Sequence, residues 1–165
     1  MYICLMRHGK AEAYDTEKDD RLRELTGKGR RDVTAVAALA RRWWPAGRTQ
    51  IWTSPLIRAC QTTEIVGRRL NPELVQTIEA IGEGNLEALY ERIRPASDDT
   101  DVLLIVGHQP YLDQWAEAWT GAPVGFKTGS MALFSYDPYD GRFGKGKLLL
   151  YIHPTGARLL LRQDQ

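Results

Sequence analysis

No stretch of the chain approaches the roughly 20 apolar residues that cross a bilayer as a helix, so no membrane span is expected. Cysteine is scarce: only Cys4 and Cys60 occur, in apolar surroundings and without metal or redox spacing. A disulfide-built fold is therefore excluded, and a reducing cytoplasm is the expected setting; the alternative is a secreted chain with one disulfide. Neither sign of charge prevails. Lys plus Arg number 22 against 21 for Asp plus Glu, which argues against nucleic-acid binding through bulk charge. Several catalytic signatures are also missing. There is no Gly-x-x-x-x-Gly-Lys-Ser/Thr loop, no Gly-x-Gly-x-x-Gly, no His-Glu-x-x-His metal site and no Gly-x-Ser-x-Gly elbow. Neither cysteine is followed by the arginine-ended loop of a cysteine phosphatase. No cofactor and no metal are expected.

What is present fits an ordinary globular protein. The chain has 165 residues, 43% hydrophobic and 26% charged, enough to bury a core in one domain spanning residues 1–165. Its start, Met1-Tyr-Ile-Cys-Leu-Met6, lacks a basic segment and a cleavage site and is expected to be a first strand, not a signal peptide. The run 2–6 is continuously apolar, as in a strand buried on both faces. A long polar loop follows over 9–25.

The apolar stripe Val33, Val36, Ala37, Ala40, Trp43, Trp44 predicts a helix over Thr26–Trp44, capped by Thr26 and stopped at Pro45. A short strand is expected over 50–53. Ser54-Pro55 then looks like a helix start, with serine as N-cap and proline in the first turn, running to about Leu70. Further strands are expected over 74–78 and 101–106, and a turn over Gly82–Asn85 leads to a helix near Leu86–Ile93. Another helix follows Pro110 to about Thr120, where Trp115 and Trp119 read as core more readily than as a partner surface. Strands over 131–136 and 147–153 are joined by turn chemistry at Pro138–Gly141. This alternation predicts an α/β class, a three-layer α/β/α sandwich with a mostly parallel central sheet. The late strands are expected at an edge, where an antiparallel strand can be added.

The chain has three histidines. His8 and His108 each lie just past the carboxyl end of a buried strand, where open α/β sheets bind ligands. His153 lies in a late strand and reads as structural. Arg7 precedes His8, and Arg58 lies in the first turn after Ser54-Pro55, near a helix N-terminus that favours anions. Arg23 closes the polar loop. Guanidinium matches phosphate oxygens in bidentate geometry, whereas Arg21, Arg30, Arg31, Arg41 and Arg42 read as solvated. Gly9, without a side chain, admits a substrate beside His8 or simply ends the strand. Glu79 and Glu83 are candidate proton donors, or solvated carboxylates.

Together, Leu5-Met-Arg7-His8-Gly9, Ser54-Pro-Leu-Ile-Arg58-Ala-Cys-Gln-Thr62 and Val106-Gly107-His108 resemble the histidine phosphatase, or phosphoglycerate mutase-like, superfamily. The short length and the Arg23-Glu-Leu-Thr26-Gly-Lys-Gly29 segment are most similar to its SixA-type phosphohistidine phosphatases. The resemblance runs from residue 1 to about 120. It implies that His8 becomes phosphorylated, that Arg7, Arg58 and His108 hold the phosphoryl oxygens, and that Arg23 adds a further phosphate contact. Glu79 sits nearest the position where many members keep their acid, although Thr77-Ile-Glu-Ala-Ile-Gly-Glu83 departs from the usual pattern.

The expected reaction is covalent catalysis: attack by His8, then hydrolysis of the phosphohistidine by water. Expected partners are a phosphorylated protein, such as a histidine-phosphorylated signalling domain, or a small phosphate ester. Alternatives are a phosphatase of small monoesters and a non-catalytic phosphoprotein-binding module. A mutase would need enclosure from water, for which the short chain offers little material. A monomer is the expected state.

Overall fold

The apolar run near the N-terminus and the one before His108 become the two central strands of a six-stranded sheet. The computed structural model of the protein describes residues 1–140 and 145–162. In chain order the elements are β1 (Tyr2–Arg7), a 3-10 turn (Asp20–Leu22), α1 (Gly27–Trp43), β2 (Thr49–Thr53), α2 (Ile57–Leu70) and β3 (Leu74–Thr77). There follow α3 (Glu79–Glu83), α4 (Leu86–Ala96), β4 (Val102–Gly107), α5 (Tyr111–Thr120), β5 (Met131–Ser135), β6 (Lys147–Ile152) and α6 (Pro154–Arg162). The sheet order is β3-β2-β4-β1-β5-β6. β1, β2, β3 and β4 are mutually parallel, β5 is antiparallel to β1, and β6 is antiparallel to β5. The antiparallel strand is thus β5, inside the edge; β6, at the edge, runs in the direction of β1.

Alternating side chains of a strand leave opposite faces, and here both faces are covered. Ile3 and Leu5 point to one side with Leu103 and Ile105, packed under Ile81, Leu89, Ile93, Leu112, Trp115 and Trp119 of α3, α4 and α5. Cys4 and Met6 point to the other with Leu104 and Val106, under Val33, Val36, Ala59, Val66 and Ala157 of α1, α2 and α6. This is the expected three-layer sandwich. Trp115 and Trp119 are core residues, and Cys4 and Cys60 are both free thiols. Among the described residues, no helix is long and apolar enough to cross a membrane.

Thr26 caps α1 as its sequence predicts, its hydroxyl accepting the Gly29 N–H at 3.0 Å. The long loop is pinned at its neck. Ala11 bridges Leu25, the Thr26 N–H donates to the Lys10 carbonyl, and the backbone of Lys10 lies so close to Gly29 that a Cβ there would fall 2.1 Å from the Lys10 oxygen.

Three local expectations are corrected. Ser54 does not cap α2: the helix begins three residues later, at Ile57, with Leu56 at the N-cap position and no side-chain cap bond, and the Ser54 hydroxyl accepts the Leu56 N–H ahead of the helix. The turn expected over Gly82–Asn85 is the end of a short helix, α3, closed by Gly84 in the left-handed region at φ 72°. The strand expected over 147–153 ends at Ile152, which leaves His153 outside it, and α6 follows with Pro154 at its first position. His153 starts it by accepting the Thr155 N–H on Nδ1 at 3.0 Å, and the Asp32 carboxylate, itself buried, pairs with Lys28 and with Arg158 of α6. The Pro138–Gly141 turn lies only partly within the described residues.

The helix face over α5 concentrates aromatic packing. Trp119 is 1% exposed, with ring centroids 6.2 Å from Phe134 and 5.6 Å from Tyr136. Trp119→Ala is expected to cost about 3–5 kcal/mol, read as a lower urea midpoint with an unchanged slope.

Candidate active site

The register of the parallel strands builds the site. Arg7 lies opposite Gly107, and Met6 and Thr53 both lie opposite Val106, so β1, β4 and β2 end nearly level. The residues that follow are His8, His108 and Ser54. Backbone bonds extend the ladder by one step: His8 N–H donates to the Gly107 carbonyl and Ser54 N–H to that of Val106, at 3.1 and 3.0 Å. The two imidazoles therefore face each other with ring centroids 5.0 Å apart. Both are buried, at 8% and 5% exposure.

His8 has a defined tautomer. Its Nδ1 lies 2.8 Å from the Gly9 carbonyl, and a carbonyl can only accept, so Nδ1 carries the hydrogen and Nε2 keeps a lone pair. The Gly9 N–H donates to Thr62 Oγ1 at 3.0 Å, and that hydroxyl donates to the Arg58 carbonyl at 2.7 Å, tying α2 to the loop after β1. A Cβ on Gly9 would lie 2.8 Å from Val33 Cγ2 and 3.0 Å from the Gly29 oxygen. Glycine is required here by packing against α1, and its N–H is occupied by Thr62.

The arginines approach from both sides. The Arg7 guanidinium donates through Nη1 to the Phe126 carbonyl at 2.9 Å. Arg58, 6% exposed, donates through Nη1 to the Asp20 carbonyl at 2.8 Å and through Nη2 to Asp20 Oδ2 at 3.1 Å. Arg23 donates through Nε to Asp20 Oδ1 at 2.7 Å and through Nη1 to the Glu12 carbonyl at 2.9 Å. One carboxylate thus bridges two of the predicted phosphate ligands. Partial burial works against ionisation of Asp20, but the Arg58 and Arg23 guanidiniums outweigh it and hold the carboxyl below its usual range.

Three nitrogens in this cluster are buried without a hydrogen-bond acceptor among the described residues: Arg7 Nε, Arg58 Nε and His108 Nδ1. Buried polar groups are nearly always paired, so these three, on side chains that act electrostatically on His8, make the cluster a candidate anion site. Both histidines are neutral around them. Burial, and then the proximity of the His108 ring and the positive charge of Arg58 and Arg7, pushes His8 down to about 3 in spite of the Gly9 carbonyl. Burial and then Arg58 push His108 down to about 4, against the pull of Asp20.

The two candidate acids lie on α3, next to the end of β2. Glu79 opens α3 after β3, but its carboxylate and that of Glu83 are exposed and bond to no described residue. Sequence reasoning missed Asp20 and Ser54. Asp20 stands three residues before Arg23, a spacing that suits a local ion pair, but its contact with Arg58 spans 38 positions. Among the described residues, no cluster of three His, Cys, Asp or Glu side chains could hold a metal ion.

Residues 3–96 match the model of the histidine phosphatase superfamily, branch 1. The chain belongs to that superfamily. The matched stretch includes Arg7, His8 and Arg58, while His108 lies beyond it. A relative from Picosynechococcus sp., an uncharacterised protein, is 37% identical over 124 residues, covering 72% of each chain. In three dimensions the chain is similar to a tungstate complex of the protein histidine phosphatase SixA, with a TM-score of 0.82, 22% identity and coverage of 94% and 98% of the two chains. It is also similar to a protein from Agrobacterium tumefaciens assigned as the phosphohistidine phosphatase SixA, with a TM-score of 0.76, 25% identity and coverage of 93% and 97%. A mycobacterial glucosyl-3-phosphoglycerate phosphatase shares the fold at a TM-score of 0.61 and 16% identity, over 90% and 97% of the two chains. Membership of the superfamily supports phosphatase activity.

The depressed values have a measurable consequence. An unfolded histidine titrates near 6.5, so below that pH the unfolded chain binds more protons than the folded one. Stability therefore rises with pH through this window, and is lost as pH falls from about 6.5 toward the folded values. Histidine ring NMR signals are expected to stay neutral for His8 and His108 down to about pH 5, with a falling urea midpoint over the same range. A His8 titration near 6.5 would contradict the burial and charge argument.

Proposed function

We propose that the protein is a single-domain phosphatase that removes phosphoryl groups through a phosphohistidine on His8, and that its substrate is phosphohistidine on a protein, such as a signalling domain. The observation that carries this reading is the set of buried donors without protein acceptors, Arg7 Nε, Arg58 Nε and His108 Nδ1, beside a histidine whose Nε2 lone pair is held available.

In the first step Nε2 of His8 attacks phosphorus in line with the leaving group. The P–N bond to His8 forms as the bond to the leaving group breaks. Water then attacks the phosphohistidine, releasing inorganic phosphate and restoring neutral His8. Charge on the transferring group spreads over its three non-bridging oxygens, and catalysis is mainly positioning and electrostatic stabilisation. Arg7, Arg58 and His108 supply the donors. Gly9 places the strand end against α1, and Arg23 reaches the same anion through the network it shares with Asp20.

The leaving group argues for the substrate. An alkoxide needs a placed acid, whereas imidazole, with a reference pKa of about 6.5, leaves readily once its other nitrogen is protonated. The candidate acid Glu79 is exposed, and Asp20 is held ionised by two arginines. This arrangement suits phosphohistidine better than a sugar phosphate. Free Cys4 and Cys60 accord with a cytoplasmic setting, and we take the working unit to be a monomer.

The decisive measurement is phosphate release from a histidine-phosphorylated protein beside a panel of small phosphate esters. His8→Ala should abolish release, and Arg58→Ala should slow it by about 10²–10³-fold, or roughly 3–4 kcal/mol. Glu79→Gln should leave phosphohistidine turnover nearly unchanged. Near-native activity of His8→Ala would sink the mechanism, a preference for esters would make the protein a monoester phosphatase, and binding without release would make it a phosphoprotein-binding module.

A further inference from the structure

Ser54 is fully buried where β2 meets the histidine pair, at 0% exposure. Its backbone is fixed on both sides: the N–H donates to the Val106 carbonyl, and its own carbonyl accepts from Thr53 Oγ1 and Cys60 Sγ. The hydroxyl lies 2.6 Å from His108 Nε2 and accepts the Leu56 N–H at 3.3 Å.

Two hydrogen assignments are open to this contact. If His108 carried its proton on Nε2 and donated to Ser54, the serine hydrogen would have no other acceptor among the described residues, and a buried O–H would go unpaired. If Ser54 donates to Nε2, its hydrogen and the Nε2 lone pair satisfy each other. The single proton of neutral His108 then sits on Nδ1, the ring nitrogen that has no protein acceptor and belongs to the donor cluster around His8. Both outcomes leave the Leu56 bond intact and one hydrogen without a protein acceptor; the first strands it on Ser54, which is wholly buried at the end of β2, whereas the second places it on the ring nitrogen left free for a ligand beside His8 and the arginines.

We propose that Ser54 is a positioning residue whose hydroxyl donates to His108 Nε2 and so holds the imidazole as its Nδ1–H tautomer, with the proton aimed at a phosphoryl oxygen. The use of that proton rests on the proposed function. The tautomer itself is a property of the free protein, so the two can fail separately. The same hydroxyl can reverse its role and accept from Nε2 when an anionic phosphoryl group draws a second proton onto the ring, which an alanine cannot do and a threonine can.

The test reads the tautomer directly. Long-range proton–nitrogen NMR of the 15N-labelled protein at pH 7, with signals assigned by their loss in His108→Asn, should show His108 with a protonated Nδ1 and an unprotonated Nε2. In Ser54→Ala the pattern should shift toward Nε2–H, and kcat for phosphate release from a histidine-phosphorylated protein should drop about 10- to 100-fold, as for loss of a partner that orients a histidine. Ser54→Thr should restore both. An Nε2–H pattern in the wild-type protein overturns the proposal without any variant, which keeps it testable if Ser54→Ala does not fold. An unchanged spectrum or an unchanged kcat in folded Ser54→Ala overturns it as well. An active His8→Ala enzyme would instead remove the catalytic reading and leave the tautomer standing.

Discussion

Parallel pairing of β1 with β4 and of β4 with β2 brings three strand ends to one level, and the chemistry of the site depends on that register. Each strand contributes the first residue beyond its end. A slip of one residue in any of the three would turn side chains to the other face and separate His8, His108 and Ser54. The register is in turn held by burial on both faces, since alternate residues of β1 and β4 serve two distinct cores. The hydrophobic layers thus fix the polar constellation at the strand ends.

Charge compensation is the second constraint. Arg58 is almost wholly buried, and a buried guanidinium without a partner is costly. Asp20 offsets that cost, and the short 3-10 turn that carries it is stabilised by Asp19, whose carboxylate accepts the Arg21 N–H at 2.9 Å. The long polar loop after His8 is therefore part of the site. Its neck is pinned to α1, its far end reaches Arg58, and Gln61 of α2 holds it through the Leu25 N–H at 2.8 Å. With Asp20 ionised and the histidines neutral, the site keeps its arginines charged and positioned.

Most of this framework was legible in the residues themselves. The apolar runs located β1 and β4, Thr26 announced the start of α1, and a histidine after each of two buried strands pointed to one crevice. What was not legible depends on contacts between distant segments. Ser-Pro is a sound helix-start signal, yet the helix starts only at Ile57, and the contact of the Ser54 hydroxyl with His108 spans 54 positions. Asp20 read as one acid among many in a polar loop. Glu79 follows a strand end, as an acid should, and its local sequence does not tell that the carboxylate is left exposed at the start of α3. Pro154 was a usable signal for α6, obscured by a strand that runs to within two residues of it.

The unpaired donors connect stability to function. A buried donor without an acceptor costs about 1–3 kcal/mol, and more when it is charged. Arg7 Nε, Arg58 Nε and His108 Nδ1 are such groups, so this region is less stable than one with every donor satisfied, a common condition of functional sites. A phosphoryl group offers acceptors to all of them at once. Binding that gave them acceptors would recover part of that cost, and more of it as charge shifts onto the non-bridging oxygens during transfer. A fold that left these nitrogens paired to its own carbonyls would be more stable, but it would have to break those bonds before it could hold phosphate.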